Sequence, residues 1–181
     1  MDVVVPTYRC ELSTLTEIVA LKSDRVVTTY ILIVDHPDPS NSPKVKSLVS
    51  HFAKFPRTSV RVVVNETNRG SAFSRTRGFF ESWADYVLFL DDDVQPKEDI
   101  LTEYAKAIVS HPDASGFVGT SLIPEPGEGE YFRMAVKLCY ITDWWTIAQR
   151  VSNPPWGITA NLVSRYKNSK KWMISRSLAN H

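Results

Sequence analysis

Four times between Asp2 and Ser110 a short run of β-branched and aromatic residues is followed by a longer stretch of helical periodicity, and this alternation leaves few folds open. The apolar runs are Asp2 to Pro6, where the proline stops the strand, Val26 to Val34, Val60 to Val64 and Tyr86 to Leu90. Between and after them, Glu11 to Lys22, Lys44 to Lys54 and Ser71 to Trp83 place their apolar residues at helical spacing. Pro96 fits the first turn of a fourth helix running to Ser110, and Gly116 to Ile123 reads as a fifth strand. Neighbouring strands lack hairpin signals, so the alternation predicts crossover units, an α/β fold and a mainly parallel central sheet. In such sheets ligands sit beyond the carboxyl ends of the strands. Past Ile123, the Pro/Gly-rich segment from Pro124 to Gly129 is a loop, Tyr131 to Val151 reads as mostly helical, and Trp156 to His181 is polar, basic and poorly patterned.

Composition narrows the function classes. A chain of 181 residues is about one domain and long enough to bury a sizeable core. With 21 basic against 20 acidic residues, non-specific nucleic-acid binding has no global electrostatic support, and no nucleic-acid partner is expected. Cys10 and Cys139 have neither disulfide-framework nor zinc-site spacing. No apolar run reaches the ~18 residues of a membrane span, and no leader pattern is present. The chain therefore reads as soluble and cytoplasmic, with membrane association left to a longer parent protein.

The strongest local chemistry follows Tyr86-Val87-Leu88-Phe89-Leu90, a run apolar enough to be buried on both faces. It ends in Asp91-Asp92-Asp93. Strand alternation would turn Asp91 and Asp93 to one side and Asp92 to the other. Close carboxylates are relieved by a proton or a cation, and hard oxygen ligands at a strand end suit Mg²⁺ or Mn²⁺. A solvated acidic turn is the plainer alternative. A second cluster lies between Asn65 and Gly78. Gly70 relieves the backbone ahead of a helix that Ser71 can cap, leaving N–H groups for an anion, with Arg69, Arg75 and Arg77 around it. A solvated basic face is the alternative for these arginines. Pro6-Thr7-Tyr8, Asp35, Asn68-Arg69-Gly70 and the three aspartates converge on one sheet edge, which argues for a binding site able to hold a metal-diphosphate.

The order Val-Val-Val-Pro-Thr-Tyr, Ile-Val-Asp, Asn-Arg-Gly-Ser-Ala-Phe-Ser-Arg-Thr-Arg-Gly and Phe-Leu-Asp-Asp-Asp resembles the nucleotide-sugar half of family 2 glycosyltransferases. The resemblance covers roughly residues 2 to 123 and implies the GT-A fold, a Rossmann-like three-layer sandwich. It implies one domain over 1–181, with 1–123 binding the donor and 124–181 forming a partial acceptor-side half of a truncated chain. By position, Pro6, Thr7 and Tyr8 would line the nucleobase pocket and Asp35 would meet base or ribose. Asn68, Gly70 and Arg75 would lie beside base, ribose and diphosphate, and Asp91 and Asp92 would approach ribose or sugar. Asp93, with Asp91, would hold the Mn²⁺ or Mg²⁺ that bridges the diphosphate of a UDP- or GDP-sugar. Trp156, Gly157 and Asn161 resemble the Gly-x-x-x-Asn loop that contacts donor sugar and acceptor, the acceptor being a glycan, lipid or protein.

The implied reaction is metal-dependent hexosyl transfer to an acceptor hydroxyl with inversion, assisted by a carboxylate base. Here the sequence departs from the family pattern. Beyond Asn161 there is no Asp or Glu, and the last acid is Asp143, beside Trp144 and Trp145. Asp143 is the candidate base, with a surface or capping role as the alternative. The tryptophan pair is read either as an acceptor-stacking element or as core. Two further function classes stay open: a catalytically inactive donor-binding domain, and another metal-dependent phosphate enzyme such as a nucleotidyltransferase. Gln95 counts against a dehalogenase-like phosphatase, which would want Asp-x-Asp-x-Thr. His36, His51, His111 and His181 share no spacing and read as ordinary loop or surface residues.

Overall fold

The structure, a computed structural model, describes residues 1–56, 59–122, 125, 127–138, 151, 154 and 157–166. Its elements in chain order are β1 (Asp2–Thr7), α1 (Leu12–Ala20), β2 (Thr29–Val34), α2 (Pro43–Phe52), β3 (Val60–Val64), α3 (Ser71–Glu81), β4 (Tyr86–Leu90), α4 (Ile100–Ser110), β5 (Gly116–Val118), α5 (Tyr131–Leu138) and β6 (Asn161–Arg165). The six strands form one sheet in the order β3-β2-β1-β4-β6-β5. β1 to β4 are mutually parallel, whereas β6 runs antiparallel to both β4 and β5.

The unbroken apolar character of the strands follows from burial on both faces. Val3, Val5, Leu32, Val34, Leu88 and Leu90 point into one core with Leu15 and Ile18 of α1, Leu48 and Phe52 of α2, and Leu101 and Tyr104 of α4. Their alternates Val4, Ile31, Ile33, Val87 and Phe89 meet Phe79 of α3 on the other face. The sheet is thus the middle of three layers. Gly78 lets α3 sit hard against it, since a Cβ there would lie 2.3 Å from Val4 Cγ1.

Several expectations are revised. Pro6 does not stop β1: it pairs in register with Ile33, while β1–β4 pairing ends at Val4 opposite Phe89. A residue without N–H is tolerated where the neighbour on one side has already left the ladder. Pro96 lies outside α4, which starts at Ile100 after Asp99. The fifth strand is only Gly116–Val118. Of the helix expected over Tyr131 to Val151, Tyr131–Leu138 is helical, and residues 139–150 fall outside the described set. The segment read as unpatterned contains β6, whose Asn161-Leu162-Val163-Ser164-Arg165 alternates too briefly to stand out. Among the described residues no helix is long and apolar enough to cross a membrane.

Candidate donor-binding site

The carboxyl ends of β1 to β4 open on one edge, and the chemistry foreseen from the sequence gathers there. Its centre is Asp35, the residue after β2, whose N–H donates to Thr7 O at 2.8 Å and whose side chain is buried. That carboxylate accepts from Asn65 Nδ2 (2.6 Å), Asn68 Nδ2 (3.3 Å), Arg69 N (2.9 Å) and Gly70 N (2.7 Å). Asn68 Nδ2 also donates to Asp35 O at 2.7 Å. A buried carboxylate needs this many donors to offset lost hydration. Gly70 makes the arrangement possible: its φ of 84° lies where side-chain-bearing residues are strained.

One expectation changes here. Gly70, not Ser71, occupies the cap position of α3, and no side chain caps it. The two N–H groups just ahead of the helix already hold an anion, the carboxylate of Asp35. Asp35 is therefore a clasp on the 65–70 loop, its acceptor capacity directed inward.

Asn65 and Ser74 were not singled out from the sequence, yet both are buried in this clasp. Asn65 Nδ2 also donates to Ser74 Oγ at 3.0 Å, and its Oδ1 accepts from Arg77 Nη1 at 2.6 Å. Arg77 Nη1 reaches Val64 O as well, at 3.0 Å, so it is tied inward and does not lie on a solvated face. Arg69 instead lies over the Phe73 ring, 4.2 Å from its centroid. The available signal was positional: Asn65 follows β3 as Asp35 follows β2, and Ser74 shares a helix face with Gly78.

The three aspartates are sorted to three different environments, because β4 ends at Leu90 and strand alternation no longer applies beyond it. Asp91 pairs with the Arg75 guanidinium, both partners being mostly buried. Asp92 accepts from Thr7 Oγ1 at 2.6 Å. The same Oγ1 accepts from Cys10 N at 3.1 Å, closing a turn that places Cys10 at φ 53°. Burial, with the Asp92 charge adding to it, pushes the Cys10 thiol up to about 11. Asp93 is different. Its carboxylate is 55% exposed, with Arg9 Nη2 3.8 Å away. Among the described residues no three His, Cys, Asp or Glu side chains come together as a metal nest. The donor set fits a hard cation held by one protein carboxylate, Asp93, and otherwise by ligand oxygens and water, the usual habit of Mg²⁺.

On the β1 and β2 sides, exposed Tyr8 faces His36 with ring centroids 6.3 Å apart and planes inclined by 21°. On the β4 side, β6 brings Asn161 opposite Leu90, directly beside Asp91. Asn161 Oδ1 accepts from Tyr104 Oη at 2.5 Å and its Nδ2 donates to Thr120 O at 3.2 Å. Gly119 is needed for this knot, since a Cβ would lie 2.3 Å from Asn161 Nδ2 and 2.4 Å from Tyr104 Oη. Gly157 packs on Val118 in the same way. Burial raises the Tyr104 hydroxyl well above the usual phenol range, keeping it a donor. Trp156 and Asp143 lie outside the described residues.

Known proteins share this fold. An uncharacterized glycosyltransferase of Haemophilus influenzae is 35% identical over 95 residues, 51% of this chain and 29% of its own length. Among solved structures, a mannosyltransferase of Pyrobaculum calidifontis in complex with GDP-Man and Mn²⁺ superposes with TM-score 0.58 at 17% identity, covering 95% of this chain and 46% of that one. S. aureus TarS in complex with UDP-GlcNAc gives 0.55 at 19% identity, covering 70% and 36%. The chain thus spans less than half the length of each of these relatives. The architecture is that of GT-A glycosyltransferases. Residues 2–164 match the family described as glycosyl transferase family 2, and the chain belongs to that family.

Proposed function

We propose that this chain binds a nucleoside diphosphate sugar, UDP- or GDP-linked, and serves a metal-dependent, inverting transfer of the sugar to an acceptor hydroxyl. The observation that carries this reading is the sorting of the three aspartates, with Asp91 and Asp92 tied to Arg75 and Thr7 and Asp93 turned outward. In this reading residues 1–123 form the donor half and 124–181 part of the acceptor side. Asp93 would hold the Mn²⁺ or Mg²⁺, which when bound supplies positive charge to the leaving diphosphate. Arg75 presents a guanidinium edge beside Asp91 for ribose or phosphate oxygens, and Tyr8 offers a ring face to the base. Asn161, fixed by Tyr104 and Thr120, limits the sugar end of the cleft. Asp143 is the candidate base within the chain. The solved structures of similar fold, named for complexes with GDP-Man and UDP-GlcNAc, supply the two donor classes to try.

Calorimetric titration with UDP, GDP and their sugars, first with Mn²⁺ and then with EDTA, tests the reading. Binding of one nucleotide that EDTA abolishes is the expected result. No binding of any of them, with or without metal, would overturn the donor assignment.

A further inference from the structure

We propose that His36 is the second wall of a two-ring clamp for the nucleobase, facing Tyr8. This rests on the donor-site reading above and adds a residue that its sequence context marks only as a loop histidine. A base slipped between two rings sets their centroids about 6.8 Å apart, twice the ~3.4 Å stacking spacing. Tyr8 and His36 stand at 6.3 Å with planes only 21° from parallel. A small outward swing of Tyr8, whose side chain is more than half exposed, supplies the remaining width.

Both rings are carried by braced backbone at the carboxyl ends of adjacent strands, where Thr7 pairs with Val34 and Asp35 N donates to Thr7 O. Tyr8 sits in the turn closed by Thr7 Oγ1 and Cys10 N. His36 lies between the clasped Asp35 and Pro37, and a residue before proline is confined to extended backbone. Its Nδ1 accepts from Asp38 N at 3.0 Å, which fixes the ring's orientation and leaves its proton on Nε2. Asp38 is braced in turn, accepting from Asn41 N at 3.3 Å on its carboxylate and from Ser42 N at 3.1 Å on its carbonyl. Asp35, by contrast, spends its acceptors on the 65–70 loop. Base affinity in this cleft therefore leans on ring faces, which hold purine and pyrimidine alike.

The test is titration of this chain, with Mn²⁺ present, by UDP, GDP and inorganic pyrophosphate, comparing the native chain with His36→Ala and His36→Phe. Loss of a stacking face predicts that His36→Ala weakens UDP and GDP by about 5- to 10-fold. Pyrophosphate affinity should not change, and His36→Phe should stay within about 2-fold of native, taking stacking rather than hydrogen bonding as the source of affinity. Unchanged nucleotide affinity in His36→Ala would overturn the clamp while leaving the donor site standing. Equal weakening of pyrophosphate would reassign His36 to support of the loop, and a His36→Phe as weak as His36→Ala would reassign it to hydrogen bonding; either overturns the proposal. A native chain that binds pyrophosphate but neither nucleotide would overturn the donor reading and the clamp together.

Discussion

The guanidinium of Arg75 and the carboxylate of Asp91 meet between α3 and the end of β4, and the Nε of that same arginine is buried with no partner among the described residues. The pair joins the helix of the basic segment to the strand of the acidic one. It compensates the charge of Asp91, so the exposed carboxylate of the aspartate run is that of Asp93. The unpaired Nε is a donor waiting for an oxygen, and a buried donor left unmatched has a cost that a ligand can relieve.

Removing one partner of this pair should hurt more than removing both. Arg75→Ala leaves Asp91 half-buried and unpaired, and should lower stability by about 1–2 kcal/mol, less than a fully buried pair because both groups reach solvent. The double variant Arg75→Ala/Asp91→Ala should recover part of that loss. Urea denaturation of the four proteins in a double-mutant cycle gives the coupling. Purely additive losses would show that the two side chains do not depend on each other.

Asp93 should separate function from stability. Asp93→Ala is expected to abolish metal-dependent nucleotide binding while shifting stability by no more than about 0.5 kcal/mol, since an exposed loop carboxylate supports little of the fold. Calorimetry with Mn²⁺ and EDTA beside a thermal melt reads both quantities. A variant that kept native metal dependence would move the cation elsewhere.

Asn65 holds the clasp from inside. Asn65→Ala leaves Arg77 and Ser74 each short of a partner and takes one donor from Asp35, a loss of about 2–3 kcal/mol. The more telling measurement is hydrogen exchange. The amides of Arg69 and Gly70, which donate to Asp35, should exchange faster in the variant, while those of the β1–β2 ladder keep their protection. Equal acceleration everywhere would mean a general loss of stability rather than a loosened loop.

Cys10 gives a pH dependence of known sign. Its thiol holds its proton up to about 11 in the folded chain against 9.0 when free, so between these values the unfolded chain binds fewer protons. Stability contributed by the buried thiol is complete below about pH 9 and is lost as pH rises toward 11. Denaturation midpoints measured across that window should fall, and Cys10→Ala should fall less steeply. The raised hydroxyls of Tyr30 and Tyr104 act in the same direction but only from the phenol range upward.

The four parallel strands and their helices were legible in the sequence because each signal is local. Val3 to Val5, Ile31 to Val34 and Tyr86 to Leu90 are apolar on both faces, and Leu15, Ile18, Leu48 and Leu101 fall on one stripe of their helices. The convergence of Asp35, Gly70, Arg75 and the aspartates followed from the parallel topology alone. What escaped was set by contacts distant in the chain. Nothing in Asn161-Leu162-Val163-Ser164-Arg165 announces that β4 will supply its ladder, and nothing in Asp35 announces that its oxygens will be consumed by residues 65 to 70. The alternation rule also failed at Asp91 to Asp93, since it holds only while the strand lasts. Asn161 reads as a ligand contact in the sequence, and nothing there announces that Tyr104 and Thr120 will fix its amide, using one of its two donor hydrogens and one acceptor site.

The insertion of β6 between β4 and β5 has a consequence for how the chain reaches this structure. β4 is buried on both faces, yet one of its two edges has no partner until residues 161–165 arrive, antiparallel and from far along the sequence. Closing so long a loop is slow, and until it closes Val87 to Leu90 presents bare backbone donors and acceptors beside an apolar surface. A nascent chain stopped short of Asn161 would carry that exposed edge, the kind that recruits a strand from another molecule. Completion of the sheet therefore waits for residues 161–165, the segment that looks least like structure.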